Sequence, residues 1–184
     1  MGIKTAYIGL GSNLGDRVLA FDKAVKKLIT VENSRYIALS GLYETSPVGV
    51  EGGPFLNAVA VMETGLVPEG LLRTLLSIET AMGRVREQEV DGSRNIDIDL
   101  LLLGDTTVEE KNIIVPHPRM LHRRFVMEPL AELAPELKIP PSGITACEAA
   151  SDLAIQHPEQ KIRRLGTLEE VKNSLRFEVC CSRF

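Results

Sequence analysis

The chain has 184 residues, enough for one domain, and its 44% hydrophobic content supports a sizeable core. Its 21 lysines and arginines against 25 aspartates and glutamates leave a net charge of -4, and only 4% of residues are aromatic, so no general basic surface offers itself to nucleic acid and any anion site must be local. The longest apolar runs fall short of the roughly 20 residues that cross a bilayer, the N-terminus lacks the form of a secretory signal, and Cys147, Cys180 and Cys181 show no CxxC spacing, so a cytoplasmic home is expected.

Residues 4–10, KTAYIGL, read as a buried first strand, closed by the glycine-rich turn Gly11-Ser12-Asn13-Leu14-Gly15. Asp16 is placed to cap a helix over 17–30, with Phe21, Val25 and Leu28 on one face. Residues 35–44, RYIALSGLYE, and 57–64, NAVAVMET, have the alternating, β-branched character of strands. The loop between them, TSPVGVEGGPF, is longer than a hairpin needs, and long loops in compact domains are often functional. Pro68 opens a second helix with Leu71, Leu72, Leu75, Ile78 and Met82 at the helical period, and Gly83 stops it. A polar stretch, 84–93, leads into a strand over 95–103.

The order β-α-β-β-α-β predicts an α+β, ferredoxin-like core: an antiparallel sheet with both helices packed on one face. Beyond it the pattern predicts an extended segment to Val115, a polar turn at HPRM, and helices near 120–133 and 144–155. Residues 1–156 read as the domain proper, and 157–184 as an appended helix and tail of unassigned role packed on it.

Side chains two apart in a strand share a face, so Asp97 and Asp99 of SRNIDIDLLLLGD project together while Ile96, Ile98 and Leu100 point the other way. Adjacent carboxylates repel and resist ionising together unless a cation lies beside them. Hard oxygen donors at that spacing suit Mg2+, which takes one or two carboxylates plus substrate phosphates; the spacing also admits a half-exposed strand with two solvated acids. A central strand would hold such acids more rigidly than a loop.

Arg84, Arg86 and Arg94 flank the acids, and HPRMLHRR gathers His117, Arg119, His122, Arg123 and Arg124. Guanidinium groups fit phosphate oxygens bidentately, so acids with arginines match a magnesium polyphosphate site; a solvated basic patch is the alternative for that run. The glycines from Gly9 to Gly15 miss the GxGxxG spacing by one residue and there is no GxxxxGK[ST], which leaves them a structural role in a tight strand-to-helix turn. HExxH and GxSxG are both absent from the chain.

Five stretches carry a resemblance: AYIGLGSNLGDR, LYETSPVG, PFLNAVAVMET, the run from IETAMGR to RNIDIDLLLLGD, and VPHPRMLHRRFVMEPLAELAPEL. In this order, over roughly residues 5–140, they resemble the 6-hydroxymethyl-7,8-dihydropterin pyrophosphokinase family. The resemblance implies Mg2+-dependent transfer of pyrophosphate from ATP to 6-hydroxymethyl-7,8-dihydropterin, releasing AMP, in folate biosynthesis. It implies two Mg2+ ions on Asp97 and Asp99, and Arg84 and Arg94 stabilising charge on the moving group. Glu79, Arg86, Leu100, Ile114, His117 and Arg123 would form the nucleotide site. Thr45, Val48, Phe55, Asn57 and Phe125 would form the pterin site, the two phenylalanines sandwiching the ring.

The partners implied are these small molecules, with no nucleic acid and no membrane, on a monomer. One departure stands out: Val90-Asp91-Gly92-Ser93 occupies the place where the family often carries an Arg-Trp-Gly-Pro-like stretch, so one loop arginine and an aromatic lid are missing. Loops 45–54 and 84–93 are expected to close over bound nucleotide. The competing reading is a non-catalytic ferredoxin-like module that binds a small ligand or a partner.

Overall fold

A computed structural model describes residues 2–48, 53–83 and 94–181, with 176–181 as backbone alone. The first strand, β1 (Lys4–Ser12), leads to α1 (Arg17–Ile29), where the Asp16 carboxylate accepts a hydrogen bond from the Leu19 amide at 2.9 Å and caps the helix. Strands β2 (Ser34–Leu39), β3 (Leu42–Thr45) and β4 (Phe55–Thr64) follow. Next comes α2 (Pro68–Ala81), opened by Pro68 and closed at Gly83, whose φ of +87° suits glycine. Strand β5 (Asp97–Leu103) completes the β-α-β-β-α-β order, with the second strand broken in two.

The remainder comprises a hairpin of β6 (Val108–Glu110) and β7 (Ile113–Val115), then α3 (Arg124–Leu133), entered through a 3-10 turn at Met120–His122. A small ladder of β8 (Lys138–Ile139) and β9 (Ile144–Thr145) precedes α4 (Ala146–Gln156), and the chain continues through β10 (Ile162–Gly166) to α5 (Leu168–Cys181). The main sheet runs β10-β3-β4-β1-β5, with β2 also on β4, and every pairing is antiparallel. The arrangement is ferredoxin-like α+β, as the element order predicts.

Helices α1 and α2 bury Phe21, Leu28, Leu71 and Leu75 against Ile8, Leu10, Ala60 and Met62 on one face of the sheet. Each large side chain so buried contributes about 1.5–3 kcal/mol. The opposite face is covered as well: Tyr7, Val59, Leu101 and Leu102 pack against Met127 and Leu130 of α3 and Leu153 of α4. The sheet is thus sandwiched, which accounts for four consecutive buried leucines. A bulge in the β1/β5 register sets Leu102 opposite Tyr7 and Leu100 opposite Ile8, so Leu101 and Leu102 both join the second core while Leu100 and Leu103 join the first.

Several expectations need correction. The single strand over 35–44 is two, broken at Ser40-Gly41. There Ser40 Oγ accepts the Val59 amide hydrogen at 3.0 Å, and a Cβ on Gly41 would lie 2.7 Å from the Arg164 guanidinium. The first strand continues through Gly11 to Ser12. Strand β5 stands at the end of the main sheet rather than in its centre. Residues 162–166, read as part of a helix and tail, form an edge strand on β3, and α5 is tied to α1 by a Lys172–Asp22 ion pair at 2.8 Å.

Candidate active site

The second layer stops short of one corner of the sheet, where a cleft of about 370 Å³ opens over the ends of β1, β4 and β5. Its floor follows from strand register. Gly11 lies opposite Asn57 on β4 and opposite Asp97 on β5, and Gly9 lies opposite Val59 and Asp99 in the same way. Two rows of three side-chain positions therefore face the cleft, and in both rows the middle one is glycine. A Cβ on Gly11 would sit 3.1 Å from Asn57 Oδ1, and one on Gly9 3.3 Å from Leu101 Cδ2. The bare middle strand leaves a gap of about 10 Å, two strand spacings, between Asn57 and Asp97.

The acid side of the floor is held from several directions. Asn13 clips Arg94 twice: its Oδ1 accepts the Arg94 amide hydrogen at 2.8 Å, and its own amide donates to the Arg94 carbonyl at 3.2 Å. The Arg94 guanidinium forms an ion pair with Asp97. Behind the strand, Glu79 is 2% exposed and accepts the Ile98 amide hydrogen on Oε1 at 2.6 Å, fixing the backbone between the two acids. The side chains of Asp97 and Asp99 remain 20% and 40% exposed and open to the cleft. Two carboxylates on one strand face, without a third metal-ligating group among the described residues, fit a hard cation that draws its other ligands from water and bound phosphates.

Three guanidinium groups, from Arg94, Arg119 and Arg123, share the cleft with these acids. Burial, then repulsion from Arg119, lowers the Arg123 pKa; a bound anion would offset both. Burial first, then Arg123 and Arg119, push His117 down to about 4. Its ring is therefore neutral near pH 7. Because Nδ1 accepts the Arg119 amide hydrogen at 3.2 Å, the ring proton sits on Nε2, 4.0 Å from Asp99 Oδ2.

The pterin-side candidates form the rest of the lining. Asn57 and Thr45 are each 5% exposed, and Asn57 Nδ2 donates to Thr45 Oγ1 at 2.8 Å. That bond turns the Asn57 carbonyl oxygen toward the floor beside Gly11. Phe55 and Phe125 line the cleft with Val48. Each ring carries its own guanidinium, Arg94 at 5.8 Å from the Phe55 centroid and Arg123 at 5.3 Å from that of Phe125. Arg17 supports the Phe55 segment by donating to the Pro54 carbonyl at 2.8 Å and to Glu44 at 3.1 Å.

The cleft thus gathers Thr45, Val48, Phe55, Asn57, Arg94, Asp97, Asp99, Arg119, Arg123 and Phe125 of the residues singled out in the sequence. Glu79 lies behind the acid strand, Leu100 is buried in the first core, and Ile114 is exposed on β7, all three outside the lining; His117 stands beside Asp99. Arg84, Arg86, the 84–93 loop and residues 49–52 of the other loop lie outside the described residues. Sequence reasoning missed the part that Gly9, Gly11 and Asn13 play in the site. The two glycines were within reach, since the period of two that pairs Asp97 with Asp99 also puts Gly9 and Gly11 on one face.

Residues 7–135 match the family of 7,8-dihydro-6-hydroxymethylpterin-pyrophosphokinase (HPPK). The chain is 44% identical over 149 residues to a Methylorubrum extorquens protein named 2-amino-4-hydroxy-6-hydroxymethyldihydropteridine pyrophosphokinase, covering 80% of this chain and 92% of that one. A Haemophilus influenzae protein of the same name is 37% identical over 163 residues, 88% of this chain and 98% of that one. In fold, the chain is similar to a crystallised Plasmodium falciparum HPPK-DHPS, with a TM-score of 0.70 at 16% identity over 86% of this chain. It spans about half of that longer chain, 46%.

Proposed function

The chain belongs to the 7,8-dihydro-6-hydroxymethylpterin-pyrophosphokinase family, and from that premise we propose that it transfers pyrophosphate from ATP to 6-hydroxymethyl-7,8-dihydropterin, releasing AMP, in the cytoplasm and as a monomer. The observation that supports this reading most is the division of one cleft into an acid and guanidinium end and an end with two phenylalanine rings and a hydrogen-bonding edge.

In this reading the flat pterin lies between Phe55 and Phe125, an arrangement in which stacked rings exclude water. Asn57, held by Thr45, reads its polar edge, with Val48 beside it. Asp97 and Asp99 hold two Mg2+ ions with the ATP phosphates. Bound Mg2+ supplies neutralisation of phosphate charge during the transfer. Arg94 and Arg84 stabilise the moving group, while Arg123, Arg86 and His117 hold the nucleotide; outside the cleft lining, the exposed Ile114 and the backbone at Leu100 flank it, and Glu79 acts through the acid strand.

The hydroxymethyl oxygen attacks the β-phosphorus in line and its proton passes to solvent. The bond from that phosphorus to the oxygen it shares with the α-phosphorus breaks, and AMP leaves with the oxygen. Phosphoryl chemistry of this kind needs position and charge more than a covalent nucleophile, which suits a cleft of paired acids and arginines. AMP release measured with both substrates and Mg2+ tests the proposal: AMP that requires all three is expected, and folded protein that releases none would overturn it.

A further inference from the structure

The C-terminal segment has no part in the reaction just described. We propose that residues 160–162 are the positioning element of the cleft, tying its two walls together through Gln160 and Lys161; naming the pterin as the ligand they serve rests on the proposed function.

The first wall is the start of α3. Helix N-termini leave amide hydrogens without partners, and a capping side chain normally accepts one of them. The cap residue here, Arg123, makes no such bond. Gln160 supplies the cap from a distance: its Oε1 accepts the Arg124 amide hydrogen at 3.0 Å, and its Nε2 donates to the His122 carbonyl at 3.2 Å. One side-chain amide thus satisfies a donor and an acceptor on either side of Arg123, and that pair of partners dictates which way the amide is turned. The Arg124 guanidinium adds a bond to the Gln160 carbonyl at 3.0 Å while gripping Glu128. Gln160 is 8% exposed, so these bonds are shielded from water. Arg123 and Phe125, the neighbours of Arg124, both line the cleft, as does Val126.

The second wall is the end of β3. The Lys161 carbonyl accepts the Ser46 amide hydrogen at 3.0 Å, and the Lys161 amide donates to Ser46 Oγ at 3.1 Å. Ile162 then pairs with Thr45. Thr45 and Ser46 both line the cleft. Three consecutive residues therefore hold the Phe125 wall at one end and the Thr45 wall at the other, with a reach fixed by about 3.3–3.6 Å of backbone per residue. The side-chain hydrogen bonds of Gln160 go to Arg124 and His122, which do not line the cleft; it acts through α3 and is a positioning residue.

The test compares Gln160→Met, which keeps side-chain length and removes both amide bonds, with Gln160→Asn, which keeps the amide and shortens its reach. A destabilised control, Leu28→Ala, lies in the core on the opposite face. With saturating MgATP, both Gln160 variants should raise the pterin KM about fivefold or more, by more than they lower kcat, whereas Leu28→Ala should lower stability and leave KM alone. The Arg124 amide should also exchange its hydrogen about tenfold faster in Gln160→Met than in Leu28→Ala, a readout that needs no catalysis. KM within about twofold of the parent in the folded variants, or unchanged exchange at Arg124, would overturn the proposal. If Gln160→Met does not fold, Gln160→Asn is read by the same two criteria. A parent that releases no AMP but whose Arg124 exchange responds as stated would refute the function and leave the strut standing.

Discussion

Glu79 offers a sharp separation between a residue that touches nucleotide and one that shapes the acid strand. It is 2% exposed and its Oε1 accepts the Ile98 amide hydrogen at 2.6 Å, between Asp97 and Asp99. Glu79→Ala deprives that buried amide of its acceptor, at a cost of about 1–3 kcal/mol. For a domain of this size each kcal/mol moves Tm by roughly 2–4 °C, so a fall of roughly 2–12 °C is expected by calorimetry. Glu79→Gln, which can still accept from Ile98, should lose less. Because Ile98 sits between the acids, the Mg2+ concentration for half-maximal rate should rise in Glu79→Ala. A variant with the parent's Tm and Mg2+ requirement but a raised KM for ATP would instead place Glu79 against the nucleotide and rule out its role in shaping the acid strand.

Asp97→Asn and Asp99→Asn should each lower turnover by about 100-fold or more while the circular dichroism spectrum stays that of the parent, given the several kcal/mol that metal neutralisation contributes. Gly11→Ala puts a methyl group 3.1 Å from Asn57 Oδ1; it should cost about 1–3 kcal/mol of stability by overpacking the floor and, by displacing Asn57, weaken pterin binding measured by fluorescence titration. The bond from Arg164, helped by Tyr43 and the Gly41 amide, holds the Glu132 carboxyl below its usual value. Its folded pKa being the lower one, this contribution is present above the ordinary glutamate range near about 4.3 and is lost as pH falls through the folded value. Urea midpoints should therefore drop as pH falls below that range, and Glu132→Gln should flatten the drop.

The alternation in DIDLLLL was enough to pair Asp97 with Asp99, because a period of two is a property of the strand alone. The same stretch hid the bulge at Leu101 and Leu102, since leucine is equally at home on either face of a sheet that is covered on both. The helical stripes of α1 and α2 were legible from apolar spacing and caps. The break at Ser40-Gly41 was not, because its cause lies in partners far along the chain, Val59 and Arg164. Strand β10, IRRLG, escaped notice for a related reason: two arginines on an exposed edge give no hydrophobic alternation, and what makes it a strand is the ladder on β3. Asn13 read as turn chemistry alone, and its grip on Arg94, 81 residues away, leaves no local signal.

Pyrophosphoryl transfer carries the β-phosphorus to the acceptor, whereas single phosphoryl transfer leaves it on the nucleotide, so the fate of that atom distinguishes the two. ATP labelled at that atom, incubated with hydroxymethyl-dihydropterin, Mg2+ and the protein, should yield a labelled pterin product and unlabelled AMP. Label that stays with the nucleotide as ADP would mean single phosphoryl transfer and would rule out the proposed reaction.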